Sequence, residues 1–376
     1  MAKASKSSAY GKLIRILIVL FVLVVVCLTG YVLMDKSIVA QQDENKFRAD
    51  QENAQRLLQY QQAKAEEAAQ MHQSETLEWP KPAGEGTEIL DLTGFPLVNS
   101  AKVQVSRKDL LMGGMLLLNH WHAQPADFPE SELVSIVSVD KSVPVSGSNV
   151  RLFPNAVSAL IEMLNAAKED GLENFLIDEG FRAASTQQEY YDKEAARYAE
   201  SLSGEPLKNK VRQTVNYPGT SEYQSGLSFR VDRYLKGDAE FNDAKFQTTP
   251  HSDWLLENSW EYGFVFRFPV EGYPNASVAD KSYKTGESKK LSVYRYVGEV
   301  NAAVMHEMDL CMEEYIEYLV DHPHIALYEN GVMKYEIVRM DIGASAGDVT
   351  VEIARSARDY SVSYDNMGGV IVCMSY

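Results

Sequence analysis

His120 and His122, in the run NHWHAQPADFP, are spaced so that an extended chain would put both imidazoles on one face, as metal ligands sometimes are. No third ligand lies nearby in the sequence, so the pair reads as two loop histidines beside Trp121. Arg182, in DEGFRAASTQ, follows Asp178 and Glu179 closely enough for a local ion pair. The stretch 216–234, NYPGTSEYQSGLSFRVDRY, opens on Pro218 and Gly219, a turn signal. Leu227, Phe229 and Val231 then alternate with polar residues as in a half-buried strand, and Gly226 lets another backbone or a ligand come close. Asp232, two residues past Arg230, shares its face of that strand.

The surrounding periodicity supplies elements to position these residues. Residues 115–118 are a short apolar run leading into the histidine loop. Val157, Leu160, Ile161, Leu164 and Ala167 recur at helical spacing over 155–170, and Gly171 follows as a stop. Residues 174–177 read as a buried strand, and a second amphipathic helix is expected over 185–203, its Tyr190, Tyr191 and Tyr198 forming a core stripe. Beyond the 216–234 stretch come a helix over 252–262 with Trp254, Leu255 and Trp260, a strand over 264–268 and a loop rich in Gly, Ser and Lys. A strand over 291–296 and a long amphipathic helix over 299–319 follow. In the last part, apolar runs at 325–328 and 332–340 flank Glu329-Asn330-Gly331, a hairpin signal, and 349–354 and 370–374 add two more strand-like runs. There is no internal repeat and no glycine-rich phosphate loop.

With 376 residues, 45% of them hydrophobic, the chain can build one large core or two ordinary ones. A net charge of −17 and a pI near 4.9 argue against wrapping nucleic acid. The first residues run the other way: Lys3, Lys6, Lys12 and Arg15 precede any acid. They lead into 16–34, uncharged and, at ~1.5 Å per residue, long enough to cross a ~30 Å hydrocarbon core. The charge bias keeps the N-terminus in the cytoplasm and places everything after Asp35 outside the cell membrane. A cleaved signal peptide is the alternative, but Ile38, Val39 and Ala40 fit a cut site poorly, and Cys27 after three valines does not match a lipoprotein box. Residues 35–76 hold no proline or glycine and read as a solvated helical stalk. Phe47, Ala54, Leu57 and Met71 keep an approximate heptad, broken by Gln61 and Lys64, that leaves a coiled-coil dimer as the alternative. Pro80, Pro82, Gly84 and Gly86 mark a linker. The expected division is a basic tail 1–15, a transmembrane helix 16–34, a stalk 35–76, a linker 77–110, a main domain 111–320 and a β-rich extension 321–376. Cys311 and Cys373 then lie in a disulfide-permissive compartment, and two separate buried thiols are the favoured reading over a bond between them.

Ser221, Glu222, Gln224, Gly226 and Leu227 fit a pattern that resembles the signature of the VanY-like zinc D-alanyl-D-alanine carboxypeptidases, Ser-x-His-x-x-Gly-x-x-x-Asp. The likeness extends over about 115–319 in four ordered blocks. LLLNHWH resembles the family's opening strand and loop. FLIDEGFRAASTQ resembles its unit ending in Ser-Gly-Tyr-Arg-Ser, and WLLENSWEYGFVFRFP its Trp-Leu-x-x-Asn-Ala-x-x-Tyr-Gly-Phe block. YRYVG and the helix ending in EEYIEYL are similar to its close. The resemblance implies an α+β fold, a small antiparallel sheet flanked by helices, of the D,D-peptidase/hedgehog-like kind.

It also implies a zinc site, held in active members by His, Asp and a second His, with a Glu as general base. Here Tyr223 stands at the first His position, Arg230 at the Asp, Val293 at the second His and Lys290 at the Glu. Val293 has no lone pair, Arg230 cannot deprotonate, and a phenol with a pKa near ~10 is a poor ligand. No catalytic residue, metal or cofactor is therefore expected. A site rebuilt from Tyr223, Asp232 and either His251 or His306 is the alternative. Otherwise Asp232 is a solvated strand residue, His251 a loop or cap residue and His306 part of an ordinary helix face. The substrate side is retained: Arg182 stands where the family arginine is thought to receive the peptide's terminal carboxylate, Gln187 matches the pattern, and Ser221, Arg230 and Lys290 complete the binding set. Arg230 and Lys290 would turn a metal pocket into one that attracts an anion, unless Glu222 or Asp232 neutralises them and the pocket is closed. The expected protein is a membrane-anchored, extracytoplasmic and inactive relative that binds cell-wall stem peptide or a protein partner. The alternatives are a working zinc D,D-carboxypeptidase with relocated ligands that trims peptidoglycan stem peptides, and a structural or regulatory membrane protein acting through its stalk and β-module.

Overall fold

In the computed structural model the described residues are 79–147, 149–343 and 347–376, together with Gln55 and Gln59, which are helical and exposed. They belong to the second of two units, Gln51–Tyr376. The expected transmembrane helix 16–34 and, those two positions apart, the expected stalk 35–76 lie outside the described residues. Among the described residues no helix is long and apolar enough to cross a membrane.

The stretch 77–110, expected as a linker, instead supplies strands β1 (Thr87–Asp91) and β2 (Ser100–Val105). The first long helix is α1 (Pro154–Glu169), started by its proline and carrying buried Ala156, Val157, Leu160, Met163 and Ala167. Strand β3 (Phe175–Glu179) and helix α2 (Ala184–Ala196) follow. The helix expected over 185–203 therefore ends early, and a separate α3 (Gly204–Arg212) takes up the chain. Next come β4 (Ser228–Arg233), α4 (Pro250–Asn258), β5 (Phe264–Phe266) and β6 (Val293–Tyr296). The single helix expected over 299–319 is two, α5 (Glu299–Glu307) and α6 (Met312–Asp321). Asp309 between them adopts a left-handed φ of 49°, and Cys311 caps α6 reciprocally with Glu314.

The central sheet is antiparallel throughout, in the order β3-β4-β6-β5. Alternation gives it two unlike faces. Phe229, Val231, Phe264 and Tyr294 point into a core with Ile177 and the buried side of α1. Burying residues of this size stabilises by roughly 1.5–3 kcal/mol each. The other face carries Ser228, Arg230, Val293 and Arg295, whose cross-strand register pairs Arg230 with Val293 and Ser228 with Arg295.

The C-terminal strands are β7 (His324–Glu329), β8 (Val332–Asp341), β9 (Val349–Ala354), β10 (Asp359–Tyr364) and β11 (Gly369–Ser375). The hairpin signal is realised, with Asn330 and Gly331 at φ 50° and 78°. A second sheet runs β1-β7-β8-β11-β10, so the C-terminal sheet is completed by a strand from the N-terminal stretch, with Thr87 opposite Glu329. Strand β2 likewise pairs with β9. Cys311 and Cys373 are both free and buried.

Candidate functional site

Three pieces of chain meet on the polar face of the central sheet: the turn Glu222–Gln224, strand β4 and strand β6. Ser221 is buried and opens the turn, its carbonyl accepting the Gln224 N–H at 2.9 Å. Gly226 then carries the chain into β4 at φ 70°, where a Cβ would lie 2.7 Å from Leu133 Cδ2 and 2.9 Å from Phe153 Cε2. That approach delivers Tyr223 over β6, where it forms a small buried cluster with Val293 and Phe268, flanked by Leu291.

Charge surrounds this apolar patch. Arg230 pairs with Asp178, and both side chains are partly exposed. Arg182 donates through Nε to Glu179 Oε1 at 2.8 Å, contacts the same oxygen through Nη2, and donates through Nη1 to Gln187 Oε1 at 2.7 Å. Gln187 in turn donates to Asn216 O at 2.6 Å, tying α2 to the loop before the turn. The Arg182 guanidinium lies between the Tyr190 and Tyr223 rings, 4.8 and 4.5 Å from their centroids. Burial, reinforced by Glu179, pushes the Tyr223 phenol up despite Arg230 and Arg182 nearby. Lys290 is exposed, its Nζ 5.8 Å from the centre of the Tyr273 ring. The local ion pair of Arg182 is thus realised with Glu179, and the acid that neutralises Arg230 is Asp178 rather than Glu222 or Asp232.

Glu222 faces inward instead. Its Oε1 accepts from Arg295 Nη1 at 2.5 Å and from Ser228 Oγ at 2.5 Å, and its Oε2 from Arg267 Nε at 2.8 Å. Arg267 continues to Glu313 with Nη1–Oε2 2.9 Å and Nη2–Oε1 2.7 Å, and Asn119 Nδ2 donates to Glu313 Oε1 at 3.1 Å. Arg295 also donates to the carbonyls of Gly114 and Leu116. Two arginines and two glutamates, all buried, balance in charge and lock the Tyr223 turn to β5, β6 and α6. Burial opposes ionisation of Glu222, but Arg295 and Arg267 outweigh it and hold the carboxyl down at about 2.

The histidines are engaged elsewhere. His120 Nε2 meets Gly286 O at 2.8 Å and His122 Nδ1 meets Asn119 Oδ1 at 2.9 Å, in a turn rather than the strand that would align them. His251 Nε2 meets Glu173 O at 2.7 Å, and its ring packs on Phe175, on the opposite face of the sheet from Asp232. Asp232 is exposed and accepts the Arg233 N–H. His306 stacks on Trp260 with centroids 4.6 Å apart. Among the described residues, no group of three or more His, Cys, Asp or Glu side chains could hold a metal ion. At the family's own positions, Val293 offers no donor atom, Arg230 is committed to Asp178, and Tyr223 resists becoming a phenolate. These residues do not fit a zinc ion.

A family model described as VanY, D-alanyl-D-alanine carboxypeptidase, matches residues 149–283. The putative carboxypeptidase YodJ of Bacillus subtilis (strain 168) is 32% identical over 203 residues, 54% of this chain and 67% of that protein. The chain belongs to the VanY D-alanyl-D-alanine carboxypeptidase family. A D-alanyl-D-alanine carboxypeptidase of Enterococcus faecium is 28% identical over 277 residues, 73% of this chain and 79% of the relative. Among solved structures, the vancomycin-resistance D,D-dipeptidase VanXYg, in complex with a D-Ala-D-Ala phosphinate analog, aligns with a TM-score of 0.55 over 74% of this chain and 99% of its own. The identity there is 20%, a likeness of fold.

Within the VanY frame, the structure brings Tyr223, Arg230, Val293, Arg182 and Gln187 into one region, while Asp232, His251 and His306 contribute nothing to it. The buried partners Arg267, Arg295 and Glu313 were missed as a unit from the sequence. Their only signal was that both arginines sit inside apolar strand runs, FVFRFP and VYRYVG, where an arginine needs a buried acid.

Proposed function

We propose that this VanY-family protein binds cell-wall stem peptide outside the cytoplasmic membrane without hydrolysing it through zinc, anchored by residues 16–34. The observation that carries the reading is the packing of Tyr223 against Val293 and Phe268 beside the Arg230–Asp178 pair. Apolar contact and an ion pair occupy the positions that would have to supply metal ligands. Arg182 is the group that receives the peptide carboxylate. Glu179 and Gln187 orient its guanidinium, and the N–H groups they do not use are free to donate. A peptide held there meets the Tyr223 ring, which covers the buried Val293, in place of an activated water.

The test uses the full chain, purified in detergent, with a pentapeptide ending in D-Ala-D-Ala. Calorimetric binding without D-alanine release, lost in Arg182→Ala, is expected. Stoichiometric zinc in the purified protein together with D-alanine release would overturn the non-hydrolytic reading, and binding indifferent to Arg182→Ala would remove the role given to that residue.

A further inference from the structure

Strand β5 forms one free edge of the central sheet, the opposite edge from β3 and Arg182. The Val297 N–H donates to Gly263 O and the Arg267 N–H to Val293 O, at 2.8 and 2.9 Å. Hydrogen bonding alternates along an antiparallel pair, so 263, 265 and 267 face β6, while the amides and carbonyls of Phe264 and Phe266 point outward. Ser259 Oγ satisfies Phe264 O at 3.2 Å. Phe264 is wholly buried, so the groups this edge offers are the N–H and carbonyl of Phe266, which make no hydrogen bond among the described residues. Such an edge is a template for another strand.

Beside it lies a groove of about 170 Å³, walled by Phe266, Pro269, Val278, Trp260, Met305 and Leu310. Its rim is acidic: Glu307, Asp309 and Glu261, all exposed, act electrostatically on His306 at the groove's lip. The one lysine in its wall, Lys281, is paired with Glu314 at 3.0 Å, donates to Asp309 O and lies 3.9 Å from the otherwise exposed Asp309 carboxylate.

We propose that this groove receives an extended segment of a partner polypeptide, apolar at alternate positions and ending in lysine or arginine, which pairs with the edge of β5 at Phe266. The segment's carbonyl accepts from Phe266 N–H and its amide donates to Phe266 O. An apolar side chain enters the groove, and the cationic end meets Glu261, Glu307 and Asp309. The backbone supplies register, the groove selects an uncharged side chain, and the rim rejects an acidic sequence.

The probe is a short fluorescein-labelled peptide of alternating Val and Thr with lysine at both ends, titrated into the full chain in detergent by anisotropy. Amide hydrogen exchange is followed at Phe266. Binding is expected, with slowed exchange at that amide. The same peptide with glutamate ends, or N-methylated on its valines, should bind at least roughly tenfold more weakly. The exposed double variant Glu261→Lys/Glu307→Lys should weaken the lysine peptide by a similar factor with an unchanged melting temperature. Equal binding of the glutamate or N-methylated peptide, unaltered exchange at Phe266, or no binding of the lysine peptide at millimolar concentration would each overturn the proposal.

Discussion

Replacing Arg267 by leucine tests whether the buried charge cluster organises the site. The Arg267 side chain is 0% exposed and spans two carboxylates that are 2% and 6% exposed, Glu222 and Glu313. Without it, Glu222 retains Arg295, but Glu313 is left with only the Asn119 amide. Removing one member of a buried ion pair leaves an uncompensated charge out of water and costs about 3–5 kcal/mol. The Arg230–Asp178 pair is the internal control: its side chains are 41% and 33% exposed, and Arg230→Leu should cost less than about 1 kcal/mol. Urea unfolding of the full chain, followed by tryptophan fluorescence, gives both values in one protein. Adding Glu313→Leu to Arg267→Leu should recover part of the loss, because it removes the stranded carboxylate. If Arg267→Leu cost no more than Arg230→Leu, the inference that Glu222, Arg267, Arg295 and Glu313 stabilise one another would be refuted.

Glu222 predicts a pH dependence. Its carboxyl sits at about 2 against an ordinary 4.5, burial being outweighed by Arg295 and Arg267. Because the folded value is the lower one, its contribution is complete above about pH 4.5 and is lost as pH falls towards 2; the gap corresponds to about 3 kcal/mol. Unfolding free energies of the parent and Glu222→Gln should converge over that range, and parallel curves would contradict the assignment. Because Arg230 and Val293 are direct cross-strand partners and Tyr223 packs on Val293, the variant Tyr223→His/Arg230→Asp/Val293→His/Lys290→Glu should bind one zinc ion by calorimetry where the parent binds none. Failure of that variant to take zinc would mean that the three ligand positions do not converge. Gly226→Ala should destabilise by about 1–3 kcal/mol, since it adds a left-handed alanine to close contacts with Leu133 and Phe153. A loss under half of that, read from the denaturation midpoint, would count against the tight approach of the turn to β4.

Local pattern alone determined much of this protein. The alternation of Leu227, Phe229 and Val231 specifies a strand with one buried face, the spacing from Val157 to Ala167 specifies α1, and Asn330-Gly331 specifies a hairpin, because each depends only on backbone conformation and on which side chains must leave water. The substitutions of Tyr223, Arg230, Lys290 and Val293 in a recognisable motif frame were legible for the same reason: motif order survives in one dimension. Other features were illegible locally. The break at Asp309 lies inside a continuous helical period, whereas strand β10, DYSVSY, alternates Tyr360, Val362 and Tyr364 with polar residues and was legible though unread. The pairing of β1 with β7 joins segments more than 200 residues apart, and Arg267 reaches acids 45 and 46 positions away. Which carboxylate meets which guanidinium depends on distances of a few ångströms in low dielectric. Only the packed chain decides those distances: it turned Glu222 inward to Arg267 and Arg295 and brought Asp178 to Arg230, whereas the Arg182–Glu179 pair, three positions apart, was open to a local reading.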